Sequence, residues 1–239
     1  MSPGGRSTTR RDKTAMNHVT AIVPMRHASE RVPGKNYRDL GGKPLYHHVV
    51  ETLLKTPSVG EVIIDTDSEF IMKDAAEHLP EVRLVERPAH LRDGRTPMND
   101  VLAHTLKYAT HDDVMQTHST NPFVRPKTFA RAIQNYFEDR EVDSVFGVTR
   151  IQGRLWTRDL TPVNHDPAVL ARTQDLDPIY LENSCFYIFS KQSFTRSANR
   201  LGSSPRAVEV DALEAVDIDE EVDFRLAEAI VGTSLANQS

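Results

Sequence analysis

From residue 19 onward, short apolar runs rich in β-branched residues alternate with longer segments in which apolar residues recur three to four positions apart. The short runs have the length of buried strands, and the longer segments have the spacing of amphipathic helices. Parallel strands need a crossover between them, which is usually a helix. The sequence therefore predicts an α/β fold with a mainly parallel sheet covered by helices.

The boundaries of the predicted elements follow from this alternation. Strands are predicted at residues 19–25, 61–66, 81–85, 113–117 and 143–149, and helices at 45–55, 69–79, 99–109 and 126–139. Residues 151–178 lose the rhythm and predict an arm or flap outside the sheet. The alternation of strands and helices resumes after residue 178, with a predicted strand at 179–189, a helix from Lys191 and a last helix from Glu220 to Val231. We expect a single domain over residues 18–232, with residues 1–17 as a disordered tail and 233–239 as a second tail.

The charge and composition exclude several classes of partner. The chain has 29 Lys and Arg against 34 Asp and Glu, a formal charge of −5, which argues against bulk binding to nucleic acid or anionic membrane. No apolar run approaches the roughly 18 residues of a membrane span, and residues 1–17 lack the apolar core of a secretory signal. The single cysteine, Cys185, can form no internal disulfide. We expect a cytoplasmic protein with no nucleic-acid partner and no membrane association.

Residues 26–43 form a basic loop between the first strand and the first helix. The loop reads RHASERVPGKNYRDLGGK and has five Lys or Arg against two acids. Open α/β sheets bind ligands beyond the carboxyl ends of their strands, where this loop begins. Arg26, Arg31 and Lys35 could hold phosphate there, with Gly34 allowing close approach of the oxygens. A solvated surface loop explains the same composition equally well.

Asp217 and Asp219 lie in the apolar run AVDID just before the last predicted helix. In an extended chain, residues two apart point to the same side at a spacing of about 6–7 Å, so both carboxylates could bind one hard cation such as Mg²⁺. Alternatively, Asp219, Glu220 and Glu221 cap the helix N-terminus. Taken alone, the pattern favours the capping interpretation. Walker A, G-x-G-x-x-G, G-x-S-x-G and H-E-x-x-H motifs do not occur in the chain.

The run PMRHASERVPGKN at residues 24–36, followed by LGGKPL at 40–45, closely resembles the amino-terminal signature of the CMP-sialic acid synthetase family, the acylneuraminate cytidylyltransferases. The resemblance continues in order through ERPAHLRDG, MQTHSTNPFVRP, ENSCFYIF and AVDIDEEVDF. It implies a Rossmann-like nucleotidyltransferase fold with a small inserted dimerisation arm at 151–178, and a homodimer. The implied reaction couples CTP to an acid acceptor and releases pyrophosphate.

The resemblance also implies roles for residues at matching positions. Asp217 and Asp219 match paired aspartates that hold magnesium, so Mg²⁺ is the expected cofactor. Arg26 and Lys35 are expected to be catalytic, because cations there offset charge that builds on the departing pyrophosphate. The predicted nucleotide-binding residues are Arg26, Ser29, Arg31, Gly34, Lys35, Asn36, Arg87 and Gln116.

The acceptor half departs from the family pattern. Where sialate enzymes usually read LQPTSPLR, this chain reads MQTHSTNPFV at residues 115–124. The acceptor therefore stays open between a nine-carbon sialic acid, an eight-carbon keto sugar acid and a small phosphonate such as phosphonoformate. The candidates for contacting its acid group are Gln116, His118, Asn121 and Arg172.

Two other classes of function compete with an enzyme. A non-catalytic nucleotide-binding regulatory protein could keep this fold, but the retention of Lys35, Asp217 and Asp219 together favours catalysis. An RNA-binding protein would need an extended basic face or an aromatic motif, and the chain has neither.

Overall fold

The computed structural model describes residues 17–233, whose seven strands form one sheet. The strands are β1 (Val19–Met25), β2 (Val59–Thr66), β3 (Arg83–Glu86), β4 (Asp113–Thr117), β5 (Ser144–Ile151), β6 (Ile179–Ser190) and β7 (Pro205–Glu209). Their order across the sheet is β3-β2-β1-β4-β6-β5-β7. β6 is antiparallel to β4 and β5, and the other neighbours pair in parallel. The predicted mainly parallel sheet is confirmed, and β7 is a short edge strand that the sequence pattern did not separate.

Each predicted helix is present and begins within one residue of its expected start. The helices are α1 (Leu45–Leu54), α2 (Glu69–His78), α3 (Met98–Thr105), α4 (Pro126–Glu138), α5 (Lys191–Ser197) and α6 (Glu221–Val231). α3 ends four residues earlier than predicted, because the chain tightens there into a turn in which the Tyr108 N–H donates to the Thr105 carbonyl. None of the described helices is long and apolar enough to cross a membrane. The predicted tails, apart from Asn17 and Thr233, lie outside the described residues.

The sheet buries an apolar layer on each face. Every residue of β1 is buried: Val19, Ala21 and Val23 pack in the layer under α1, α2 and α4, and Ile22 packs in the layer under α3 and α5. A central strand covered on both sides has no polar alternation for this reason. A third cluster joins the basic loop to α6 through Val32, Leu40, Leu45, Ile218, Phe224 and Ala227. This cluster brings the segment that precedes α6 against the loop that follows β1.

Residues 152–178 connect β5 to β6 outside the sheet. Their one regular element is a short 3-10 helix, Thr173–Asp175. The far halves of β5 and β6 continue toward this segment as an antiparallel ribbon, in which Ile151 pairs with Ile179. The segment leaves several large apolar side chains exposed, namely Trp156, Leu160, Val163, Val169 and Leu170. The predicted excursion is present, and its role in dimerisation stays a prediction.

A buried ion pair fixes the carboxyl ends of β2 and β3. Arg87 Nε donates to Asp65 Oδ1 at 2.6 Å, and the Thr105 hydroxyl donates to the other Asp65 oxygen at 2.6 Å. The Asp65 side chain is fully buried and that of Arg87 is 3% exposed. The pair therefore ties β2, β3 and α3 together at this edge of the sheet.

We expect Asp65→Ala to lower the free energy of unfolding by about 3–5 kcal/mol, because the substitution leaves Arg87 buried and unpaired. Urea denaturation measures the change. Glu86→Ala is the control, since Glu86 pairs with Arg92 at the surface, where an ion pair contributes about 0–1 kcal/mol. A loss below about 1 kcal/mol for Asp65→Ala would contradict a stabilising role for the buried pair.

Candidate active site

A cleft of about 450 Å³ opens at the carboxyl edge of the sheet. Its walls come from the basic loop after β1, the segments after β3 and β4, and the segment before α6. Ligands of open α/β folds bind at this edge. Eight of the predicted site residues line the cleft: Arg26, Ser29, Arg31, Lys35, Asn36, Arg87, His118 and Asp219.

The central contact of the cleft joins Lys35 to the segment before α6. Lys35 Nζ donates to the Ile218 carbonyl at 2.6 Å and lies 3.3 Å from Asp219 Oδ1. Arg31 Nη2 lies 2.8 Å from the same Asp219 oxygen. The Lys35 side chain is 12% exposed, whereas that of Arg31 is 58% exposed. The structure thus brings two of the predicted phosphate-binding cations, Arg31 and Lys35, into direct contact with one predicted metal ligand.

Asp217 lies beside this contact with an unpartnered carboxylate oxygen. Its Oδ1 atom is buried and has no hydrogen-bond partner among residues 17–233. Burial raises the pKa of Asp217, and the negative charge of Asp219 raises it further, against a hydrogen bond from Thr120 and the charge of Lys35. Asp217 also lines a neighbouring depression of about 270 Å³. A cation bound here would relieve both the unpaired oxygen and the repulsion between the two carboxylates.

The helix cap, which was the alternative role for these acids, is formed mainly by other residues. Glu220 is the N-cap of α6 and forms a reciprocal capping box with Asp223. Asp223 also accepts a hydrogen bond from the Asp219 N–H at 3.0 Å. The Asp219 carboxylate instead contacts Arg31 and Lys35. It is therefore free of the capping role and lines the cleft.

Gly34 shapes the turn that presents Lys35. Its φ of 67° lies in the left-handed region, and a Cβ at this position would come within 2.8 Å of the Tyr37 ring. A short 3-10 helix, Lys35–Tyr37, follows it directly. Gly34 does not line the cleft itself, so its observed contribution is to the backbone path.

Asn36 connects the ends of β1 and β4. Its Nδ2 atom donates to the Arg26 carbonyl at 2.8 Å, and its Oδ1 atom accepts from the Ser119 hydroxyl at 2.8 Å. Both bonds lie at the floor of the cleft, where Asn36 is buried. Asn36 therefore holds the two strand ends at a fixed separation. Ser119 was not among the predicted site residues.

The predicted acceptor residues occupy different positions. His118 lines the cleft, whereas Gln116 is fully buried and accepts a hydrogen bond from Arg200 Nη1 at 2.8 Å. Asn121 is fully buried and donates to the Val216 carbonyl at 3.3 Å. Arg172 lies on the arm, ion-paired with Asp175 at 2.7 Å, and is not brought to this cleft. Their roles in acceptor binding stay predictions.

Sequence reasoning missed Arg200. Its guanidinium carbon lies 3.5 Å from the centre of the Tyr187 ring, and Tyr187 pairs with Gln116 across β6 and β4. No local motif marks Arg200, which follows α5 in a loop. Gln116 and Tyr187 lie on predicted buried strands, but no pattern in the sequence places Arg200 beside them.

Burial and, secondarily, the positive charge of Arg200 lower the pKa of His118 to about 4 from its ordinary 6.5. The folded state therefore favours neutral His118. The contribution of the neutral imidazole to the free energy of unfolding is complete above pH 6.5 and is lost as the pH falls toward 4. We expect His118→Gln to reduce the acid-induced loss of unfolding free energy over that interval by about 1–3 kcal/mol. Urea denaturation at several pH values measures it.

The control for this experiment is His90→Gln, because His90 is exposed. The substitution should leave the pH dependence of unfolding unchanged. Equal pH profiles for His118→Gln and the parent chain would contradict the account of His118.

The chain is similar in sequence to known proteins over most of its length. The family model described as "Cytidylyltransferase" matches residues 20–230. N-acylneuraminate cytidylyltransferase A of Danio rerio is 26% identical over 234 residues, covering 95% of this chain and 53% of that protein. CMP-N,N'-diacetyllegionaminic acid synthase of Legionella pneumophila is 26% identical over 227 residues, covering 89% of this chain and 96% of that protein. The chain thus spans about half the length of the fish relative and nearly all of the bacterial one.

The fold has solved counterparts. The structure of CMP:2-keto-3-deoxy-manno-octonic acid synthetase complexed with CTP matches with a TM-score of 0.69 at 16% identity, covering 90% of this chain and 99% of that chain. At this identity the likeness shows the Rossmann-like nucleotidyltransferase fold. Since the family model spans all but a few of the described residues, and acylneuraminate cytidylyltransferases are among the relatives, the chain belongs to the cytidylyltransferase family.

Proposed function

We propose that this protein transfers CMP from CTP to an acid acceptor, with Mg²⁺ as cofactor and release of pyrophosphate. The observation that carries the proposal is the contact of Lys35 and Arg31 with Asp219 in one cleft. A triphosphate needs cations, and a nucleotide-bound divalent ion needs carboxylates. The cleft provides both groups within a few ångströms of one another.

In the proposed reaction, an acceptor oxygen attacks the α-phosphorus of CTP. A new oxygen–phosphorus bond forms, the bond to the pyrophosphate oxygen breaks, and the proton of the acceptor hydroxyl passes to solvent. The main barrier is the approach of a negatively charged acceptor to a phosphorus surrounded by negative oxygens. Lys35 and Arg26 would lower it by offsetting charge on the departing pyrophosphate. Arg31, which is more exposed than Lys35, would turn from Asp219 to the phosphates.

The residues present fit a magnesium ion that arrives with the nucleotide. Mg²⁺ is usually bound through one or two carboxylates together with substrate phosphates. Asp217 and Asp219 supply two carboxylates, and the described residues hold no cluster of three or more His, Cys, Asp or Glu that could bind a metal alone. The buried Asp217 oxygen without a partner is a free ligand position. When bound, the ion would neutralise phosphate charge and polarise the α-phosphate.

The acceptor is proposed to be a keto sugar acid or a small phosphonate such as phosphonoformate. The two relatives described above are named for N-acylneuraminate and diacetyllegionaminic acid, and the similar solved structure is that of a synthetase named for 2-keto-3-deoxy-manno-octonic acid. His118 is the predicted acceptor residue that lines the cleft in this structure. It stands at the carboxyl end of β4 and would meet an acceptor there as a neutral imidazole.

A homodimer is proposed through the arm. On the arm, residues 152–178, Leu160 is 75% exposed to solvent, Leu170 93% and Trp156 48%. Large apolar side chains grouped on one segment favour burial against a partner. Sedimentation of the full chain tests this proposal, and the mass of a single chain at micromolar concentration would contradict it. We also propose that the protein is located in the cytoplasm.

A pyrophosphate-release assay with CTP and Mg²⁺ across keto sugar acids and phosphonates tests the function directly. We expect turnover with at least one acid. The rate of pyrophosphate release should be much lower when UTP, GTP or ATP replaces CTP. CTP binding without turnover of any acid would instead indicate a non-catalytic nucleotide-binding protein. The buried Asp217 oxygen without a partner favours the enzyme, because it indicates a cation site that a protein binding nucleotide without turnover does not need.

We expect Asp217→Ala to reduce Mg²⁺-dependent pyrophosphate release by at least about 10²-fold, because one of two carboxylate ligands is lost. The matched control is Asp211→Ala, which removes an exposed aspartate whose carboxylate accepts from the Leu213 N–H. The control should retain activity within about twofold. Near-normal turnover of Asp217→Ala would contradict the metal assignment.

A further inference from the structure

A polar cluster lies beside the cleft on the sheet face that carries Gln116. Its members are Gln116 on β4, Glu182, Ser184 and Tyr187 on β6, and Arg200 in the loop after α5. The nucleotide and metal roles proposed above use no group of this cluster other than Gln116. Gln116 and Tyr187 are buried, whereas the Glu182 side chain is 45% exposed, so the cluster opens to solvent on one side. Buried polar groups need a partner, either within the protein or in a ligand.

Arg200 is held rigidly at the centre of the cluster. Its Nη1 atom donates to Gln116 Oε1 at 2.8 Å, and its guanidinium carbon lies 3.5 Å from the centre of the Tyr187 ring. The loop itself is fixed by Asn99 of α3, whose Nδ2 atom donates to the Ala198 carbonyl at 3.2 Å. The guanidinium is therefore oriented before any ligand binds, which reduces the entropy lost on binding.

The charge of Arg200 is only partly compensated within the described part of the chain. Glu182 forms a long ion pair with the guanidinium, in which Glu182 Oε1 lies 3.8 Å from Arg200 Nη2, beyond hydrogen-bond distance. The same Glu182 oxygen accepts a hydrogen bond from the Tyr187 hydroxyl. A guanidinium has five N–H donors, and Gln116 takes one of them. The Arg200 side chain is 20% exposed, so the remaining donors have room for an anion.

Arg200 is placed to contact the proposed acceptor, not the triphosphate. Gln116 and His118 are two residues apart at the end of β4, and His118 lines the cleft. Glu182 lines the depression that Asp217 also lines. The charge of Arg200 helps to lower the pKa of His118, so Arg200 lies near the part of the cleft wall that His118 forms. The cations proposed to bind the triphosphate, Arg26, Arg31 and Lys35, line the cleft from the basic loop.

We propose that Arg200 binds the acid group of the acceptor and restricts the enzyme to anionic acceptors. The inference rests on the proposed function and specifies its acceptor side. The planar fork of a guanidinium binds a carboxylate or a phosphonate through two parallel hydrogen bonds. A cation at this place also offsets the repulsion between an anionic acceptor and CTP. Arg200 is a specificity-determining residue in this account.

The test compares Arg200→Gln with Arg200→Lys in the full chain, with the acid found productive in the pyrophosphate assay. Arg200→Gln removes the charge and keeps a polar side chain with N–H donors. It should raise KM for the acceptor at least about 30-fold and leave KM for CTP within twofold. Arg200→Lys should recover part of the acceptor affinity. Arg196→Gln is the control, because Arg196 lies on α5, with its side chain 63% exposed and paired with Asp143.

A second readout separates anion recognition from a structural role. The parent enzyme should prefer the acid to its neutral methyl ester by at least about tenfold, and Arg200→Gln should lose most of that preference. Parallel assays with a keto sugar acid and a phosphonate show which acid group Arg200 binds. Thermal unfolding checks that each variant is folded. If Arg200→Gln is unfolded, Arg200→Lys is the variant used for the test.

The outcomes separate this inference from the proposed function. An acceptor KM within twofold of the parent value in Arg200→Gln, or an unchanged preference for acid over ester, would overturn the role of Arg200 and leave the cytidylyltransferase proposal standing. Absence of turnover by the parent chain with every acid tested would overturn both. If only Arg200→Lys folds, an acceptor KM and ester preference equal to those of the parent would overturn the role of Arg200.

Discussion

The ammonium group of Lys35 lies between the Ile218 carbonyl and the Asp219 carboxylate, and this contact joins two segments 183 positions apart in the chain. It depends on Gly34, whose left-handed backbone turns the basic loop toward α6, and on the apolar cluster that packs Val32 against Ile218. Because Lys35 is largely buried, its attraction to Asp219 is screened less than that of a surface pair. The contact therefore joins two walls of the cleft.

The charges around the cleft are distributed in a way that suits a nucleotidyl transfer. Arg31 and Lys35 share one oxygen of Asp219, while Asp217 keeps a buried oxygen without a partner in the described residues. A triphosphate would compete for the cations and leave the aspartates to a divalent ion. Arg200 lies near His118, and it is the cation that we propose for the acid group of the acceptor. In this account, different cations bind the two negatively charged substrates.

Much of the fold could be predicted from the sequence, because strand and helix periodicity are local properties. The bounds of β1 and β4 agree with the predicted runs, and β6 extends one residue further. The contact between Lys35 and Asp219 has no local signal and was expected only from the resemblance to a family. Arg200 could not be predicted, because its surroundings come from β4, β6 and α3, which tertiary packing alone brings together. Arg87 lines the cleft as expected, although its strongest contact is with Asp65.

The most direct test of the central contact is calorimetric titration of CTP in the presence of Mg²⁺ and in EDTA, on the parent chain and on Asp219→Asn. If cations of the basic loop and the aspartates form one site, Mg²⁺ should tighten CTP binding by at least about tenfold in the parent chain, a coupling of about 1.4 kcal/mol. Asp219→Asn should lose most of that coupling. Equal coupling in both proteins, or CTP binding that is indifferent to Mg²⁺ in the parent chain, would contradict the account.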